Sequence, residues 1–472
     1  MLKNIKHRAL SSGLCVGGFV GWYLTVMYIC EKSLEIYGTS DLFASTQIIF
    51  GGSLLTTLAI MLLLTSHLDF EGLLNHRYFR IVPAVLMAES GLALAFTNAD
   101  SFSVYADITG ICAAFGVLAV FSSLLDVKVG QRLFSVAIGT AIGGGVRLLD
   151  EIIYTRMDMT RGIYVLAVLS GLLALLTVRS SGFSREEMPI ISYAETSTKN
   201  LLRRIPTAYV LFFFLSIAYY FCCGRITAFG AELYAPSFKP YEIFSYIPFI
   251  IAAVVIGLFI RFHNITPIFI FGMCFITYSA IMLYLPYFSP VEETFFLIFY
   301  YAGQACFGIF TYIFVLTFAM DRQHPLFYVL FGYAEVVAAE FIANLINYFA
   351  PSQSKALVIA LLAILIIIDG PIIFYLLKKH GLTQESFEFR KSLRAAIKAK
   401  SRELELSERE RYLLELVVLD GYTAEQLPDK MMLSRNTIRA QSRNLLQKLD
   451  VGEISELRQY FEAIVKNSTS VD

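Results

Sequence analysis

Arg435, Arg439 and Arg443 recur at every fourth residue of a stretch, Ser434 to Leu449, that also carries Lys448 and contains no acidic residue. On a helix this spacing puts three guanidinium groups on one side. Guanidinium groups arrayed in this way bind anions, either phosphate oxygens or the O6/N7 edge of guanine through paired N–H donors. Ser434 is a good N-cap for such a helix. A second group of candidates lies inside strongly apolar blocks: Glu89, Asp107, Arg147, Glu335, Glu340 and Asp369. An ionisable side chain at membrane depth is costly and usually faces a cavity or a partner. Glu340, Asn344 and Asn347 fall on one helical face at i, i+4 and i+7, a polar stripe that either lines a cavity or ties helices together. Glu89, Asp107, Arg147, Glu340 and Asn344 are the candidates for a small-molecule cavity. For Arg147 a local alternative stands beside that reading, because Asp150 and Glu151 follow at i+3 and i+4.

Other chemistries find no support. The seven cysteines sit in apolar blocks, form no C-x-x-C pair and are odd in number, so they read as small buried hydrophobes. The six histidines are scattered without metal-ligand spacing. No nucleophile–base set and no phosphate loop is present. Neither catalytic residues, a metal site nor a cofactor is therefore expected.

The elements that must hold these residues are mostly membrane helices. The chain has 472 residues, 57 % of them hydrophobic, with a mean hydropathy of +0.63, which excludes an ordinary soluble protein. Twelve apolar segments of about membrane-span length follow one another, near 11–30, 44–64, 81–97, 102–124, 133–153, 162–178, 207–226, 243–260, 267–285, 295–318, 326–349 and 356–377. The first is too long for a cleaved signal peptide and reads as a retained span. A polar interruption from Arg179 to Pro206 divides them into six and six. With the N-terminus inside, fourteen bases (Lys3 through Arg322) fall on inner segments and six (Lys32 through Lys355) on outer ones. The positive-inside rule then puts both termini in the cytoplasm. Span five holds the cluster Gly139, Gly143, Gly144 and Gly145, which tight helix packing explains.

After the last span the character changes. Residues 378–405 are basic, and Phe389, Leu393, Ala396 and Ile397 recur at helical spacing; such a helix either lies on anionic lipid or spaces the tail from the bilayer. The tail, Leu406 onward, resembles the LuxR-type helix-turn-helix. Leu406, Ser407, Arg409 and Glu410 stand at its opening L-T-x-R-E. Gly421 stands at the turn after helix one, with Thr423 and Gln426 as a capping box beyond it. Ser434, Asn436, Thr437, Ile438 and Arg439 match S-x-N-T-V-[KR]; Arg443, Asn444, Lys448, Leu449 and Val451 continue it, and Glu456–Leu457 match the closing E-L. The resemblance implies base reading by Arg439, Ala440 and Arg443, phosphate contacts from Arg435, Asn436, Thr437 and Lys448, and a dimer face of Leu457, Phe461 and Ile464. Three features depart from the pattern: Tyr412, one extra residue before Gly421, and Pro428 within the scaffold helix. Pro428 counts as beyond the first turn if Thr423 is the cap, so that helix should be short or kinked.

The 6 + 6 layout over about residues 1–377 resembles the major facilitator superfamily in architecture. The loop TSHLDFEGLLNHRYFR between spans two and three lacks the superfamily's signature. The expected fold is all-α: a polytopic membrane helical bundle (1–377), a basic helical linker (378–405) and a small cytoplasmic four-helix DNA-binding domain (406–472). The expected partners are double-stranded DNA, a small-molecule ligand, the bilayer of a bacterial cytoplasmic membrane and a second copy on DNA. A secondary transporter with a regulatory tail is the alternative.

Overall fold

The computed structural model describes residues 7–37, 40–65, 77–96, 101–127, 129–180, 205, 207–234, 239–260, 265–282, 290–319, 325–349, 371, 374–375, 384–419, 424, 427–431 and 433–469. No strand occurs among them. The chain divides into two compact units, Met1–Leu376 and Leu377–Asp472.

The first unit holds eleven described helices: α1 (His7–Tyr37), α2 (Ser40–Thr65), α3 (Arg77–Phe96), α4 (Phe102–Leu125), α5 (Val129–Arg156), α6 (Met159–Ser180), α7 (Thr207–Tyr234), α8 (Lys239–Phe259), α9 (Thr266–Met282), α10 (Pro290–Ala319) and α11 (Pro325–Phe349). Each overlaps one of the first eleven expected spans over most of its length, and seven are long and apolar enough to cross a membrane. The twelfth expected span lies almost wholly outside the described residues. Several helices outrun the bilayer core: α1 has 31 residues and α10 has 30, against about 20 needed to span it. Phe96, Val168, Phe214, Phe259 and Phe349 are exposed on this unit, as a lipid-facing surface requires.

Within the first half, α1 packs against α5 and α6, α2 against α4, and α3 against α6. Glycine makes the α1–α5 seam possible. A Cβ on Gly17 would come 2.8 Å from Ile142, and one on Gly143 would come 2.4 Å from the Val20 side chain. Polar ties reinforce the bundle: Trp22 Nε1–H donates to the Met87 carbonyl at 3.1 Å and Ser12 Oγ–H to the Ser123 carbonyl at 2.6 Å. In the second half α7 packs on α11 and α9 on α10, and the Tyr209 hydroxyl donates to the Val315 carbonyl at 2.8 Å. The halves meet where α5 packs on α8 and α2 on α11.

The second unit is a small aqueous-type domain with its own core. Its helices are α12 (Gln384–Glu403), α13 (Glu408–Val418), α14 (Leu427–Met431), α15 (Arg435–Leu449) and, after a 3-10 turn at Ile454–Glu456, α16 (Leu457–Thr469). Leu393 and Ile397 of α12 share one apolar core with Leu413, Val417, Leu427, Ile438, Leu445, Leu449, Leu457 and Phe461. The amphipathic stripe of the basic segment therefore faces protein, through Leu393 and Ile397, rather than lipid. The segment is not a free spacer but the first helix of this unit, packed on α13 and α16. Its end is set by Glu405 at φ 47°, where the Leu406 N–H reaches back to the Ser401 carbonyl at 2.9 Å, a left-handed stop. Asp450, at φ 55°, ends α15 in the same way, with Val451 N–H on the Leu446 carbonyl at 3.1 Å.

Candidate nucleic-acid interface and candidate membrane cavity

Helix α15 is built as a one-sided reader. Ile438, Ser442, Leu445 and Leu449 are buried, while Arg435, Asn436, Thr437, Arg439, Ala440 and Arg443 are exposed. Ser434 caps it by accepting the Thr437 N–H at 3.2 Å. Its N-terminal half thus shows polar side chains and unpaired N–H groups together, the arrangement that suits phosphates and base edges. None of the three arginines has an ion-pair partner among the described residues. They are the uncommitted cations of the face.

Lys448 differs. Its Nζ donates to Glu410 Oε2 at 2.9 Å, bridging α15 to α13. The same carboxylate oxygen accepts the Ser407 N–H at 2.8 Å and the Ser407 hydroxyl at 2.9 Å, completing a capping box at the start of α13. Burial pushes the Glu410 carboxyl up, but Lys448 and Ser407 outweigh it and hold it below the ordinary glutamate value. The Ser-x-x-Glu spacing of Ser407 and Glu410 was a readable signal for this box. The box anticipated at Thr423 and Gln426 lies outside the described residues.

The helix that holds Pro428, α14, is described over Leu427–Met431, and the Pro428 carbonyl accepts the Leu433 N–H at 3.1 Å ahead of α15. One further expectation needs adjusting. On α16, Leu457 and Phe461 are fully buried in the core that α12 completes, and Ile464 is half-buried against it. Leu457 and Phe461 hold the domain together and are not presented to a second copy. The reason is α12, which covers the side of α16 they occupy.

In the membrane unit a cavity of about 200 Å³ opens between α1, α2 and α11. Tyr23 and Met27 line it from α1, Gln47, Phe50, Gly51 and Leu54 from α2, and Val337, Glu340, Phe341 and Asn344 from α11. Of the five cavity candidates, Glu340 and Asn344 are there and three are not. Glu89 and Asp107 have exposed side chains on α3 and α4. Arg147 is engaged in a separate network: its Nη1 bonds Glu151 at 3.0 Å, and its guanidinium lies 3.7 Å over the Tyr28 ring and 5.2 Å from that of Tyr246. Beside it, Asp150 accepts the Thr25 hydroxyl at 2.8 Å. The stripe on α11 also divides. Asn347 donates to the Phe221 carbonyl at 3.3 Å, seated where Gly224 leaves no Cβ in the way, so it ties α11 to α7. The cavity's Gln47, Tyr23 and Phe341 carry no sequence signal of their own.

Comparison with known proteins agrees with both units. Residues 404–461 match the family described as GerE: Bacterial regulatory proteins, luxR family. The membrane unit is similar in fold to the human organic anion transporter TETRAN, at 10% identity and a TM-score of 0.52, covering 79% of this chain and 99% of that one. It is similar also to the xylose transporter XylE from E. coli in a partially occluded inward-open conformation, at 14% identity and a TM-score of 0.51, covering 76% and 97%. A comparison with curated protein sequences finds no match. The chain is thus a multi-pass, all-helical membrane protein of major-facilitator-like fold that ends in a LuxR-type DNA-binding domain.

Proposed function

We propose that this chain is a one-component transcription regulator of a bacterial cytoplasmic membrane, in which a compound bound in the membrane unit alters DNA binding by the C-terminal unit. The observation that carries the reading is the exposed set Arg435, Arg439 and Arg443, unpaired among the described residues, on α15 of a LuxR-type domain, in a chain that also has a polar-lined cavity within its membrane bundle. Arg439, Ala440 and Arg443 read bases, and Arg435, Asn436 and Thr437 grip phosphate. Two copies pair on DNA, using surface of α16 other than Leu457 and Phe461. Both chain termini and the 179–206 segment are cytoplasmic, in keeping with the distribution of bases.

A ligand shifts such an equilibrium only through its differential affinity for two states; a ~100-fold preference is worth about 2.7 kcal/mol. The test is crosslinking of the full chain to the chromosome in cells, beside Arg443→Ala. Discrete enriched promoters that vanish with Arg443→Ala are expected; identical maps would sink the regulatory reading. The likeness to transporters in fold keeps a second reading in play, a transporter with a regulatory tail. Concentrative uptake by proteoliposomes holding the purified chain would favour it.

A further inference from the structure

The cavity between α1, α2 and α11 combines four polar side chains with aromatic walls, and only one of the four is a carboxyl group. Tyr23, Gln47 and Asn344 each offer a donor and an acceptor; Glu340 offers a carboxylate. Among the described residues no cation pairs with Glu340, in contrast to Glu151 with Arg147 and Glu410 with Lys448. The Tyr23, Tyr220 and Tyr333 hydroxyls lie within electrostatic reach of the same carboxylate, and none of them supplies a positive charge. The Tyr23 ring packs on Phe50 with centroids 5.7 Å apart. Phe341 lies against Gly51 and Gly52, where an added Cβ would come within 3.6 and 3.4 Å of its ring.

An unpaired carboxylate away from water is costly, and a cation that enters beside it removes the cost. Ring faces attract the same cation through their quadrupoles. Size narrows the class further. A cavity of about 150 Å³ suffices for a benzene, so about 200 Å³ takes one ring and a short polar arm.

We propose that this cavity binds a small monocyclic organic cation, a protonated amine on a short arm, with its charge on Glu340 and its ring among Tyr23, Phe50 and Phe341. Gln47 and Asn344 accept the remaining N–H donors. An organic anion of the same shape is repelled by Glu340, and a neutral one leaves the carboxylate unpaired. This inference rests on the sensing role proposed for the membrane unit and adds the chemical class of what is sensed.

The experiment uses the full chain in lipid nanodiscs and three probes of one shape: benzylammonium, benzyl alcohol and benzoate. Binding is read from the fluorescence of the only tryptophan, Trp22, the neighbour of Tyr23, and from thermal unfolding. Benzylammonium is expected to bind at least tenfold more tightly than the other two. Glu340→Gln should erase that preference while changing benzyl alcohol less than threefold. Asn344→Asp, which adds a second carboxylate one turn along, should increase it; this variant and the wild-type comparison decide the matter if Glu340→Gln does not fold. Benzoate binding as tightly as benzylammonium overturns the assignment of charge. If a neutral or anionic probe binds and Phe341→Trp, which fills the space, abolishes it, the cavity remains a ligand site and only the cation class falls. Absence of saturable binding by all three probes to the folded chain sinks the cavity reading as well.

Discussion

Breaking the Lys448–Glu410 pair should weaken the fold of the C-terminal unit before it weakens the grip on DNA. At 2.9 Å and an effective dielectric of ~20, the bare Coulomb attraction is about 6 kcal/mol. Little of that survives as stability, because the Lys448 side chain is 40% exposed; exposed pairs measure ~0.2–1 kcal/mol. Lys448→Met should therefore cost about 1 kcal/mol. Glu410→Gln also damages the capping box that Glu410 closes with Ser407, which adds ~0.5–2 kcal/mol. In a unit of this size 1 kcal/mol moves Tm by roughly 4–8 °C. The assay is urea unfolding of the 377–472 unit for both single variants and the double, and the cycle should return a coupling of ~0.5–1 kcal/mol. Acidity provides a second check. The native Glu410 carboxyl is held below its ordinary value of 4.5, so its contribution is complete above that value and is lost as pH falls through the depressed native one. Glu410→Gln should flatten that acid limb. If Lys448→Met leaves unfolding untouched but reduces the salt slope of DNA binding by about one, Lys448 is a phosphate contact and the structural argument is refuted.

Other outcomes follow from the same geometry. Arg439→Ala or Arg443→Ala in the 377–472 unit should each lose roughly 1–3 kcal/mol of operator affinity with unfolding unchanged; equal loss on random DNA would contradict base reading. Leu393→Ala, in α12, should destabilise the same unit by ~2–5 kcal/mol, measured by denaturant titration, whereas a lipid-resting helix would barely notice. A cysteine at Ser197, in a background without native cysteines, should resist an impermeant thiol reagent applied to intact cells; labelling from outside would reverse the proposed topology.

The elements were legible because membrane helices announce themselves by apolar length, and each of the first eleven spans falls on one of the helices found. Their ends were not, because helices such as α1 and α10 continue past the apolar stretch into polar sequence. The recognition helix was also legible: its buried side, Ile438, Leu445 and Leu449, and its arginine side are both periodic. What failed depended on distant partners. The repeat of Leu393 and Ile397 says only that one face is apolar, and whether lipid or α16 covers it is decided some sixty residues further on. Leu457 and Phe461 were assigned to a partner copy for the same reason. Along α11, Glu340 and Asn347 look alike in sequence, yet one faces a cavity and the other meets a carbonyl of α7. Glu89 and Asp107 are ionisable residues in apolar blocks, yet both are exposed and neither lines that cavity.

The glycine seam between α1 and α5 has a mechanical consequence. With backbones this close, neither helix can roll or slide past the other without driving Ile142 or Val20 into main chain, so α1 and α5 move together. The cavity straddles the joint between the halves, with walls from α1 and α2 on one side and α11 on the other. A compound lodged there acts as a fastener between the halves. Its influence should therefore scale with how firmly it grips both walls at once. Strong binders that touch only one wall should be silent, and modest ones that bridge should be effective.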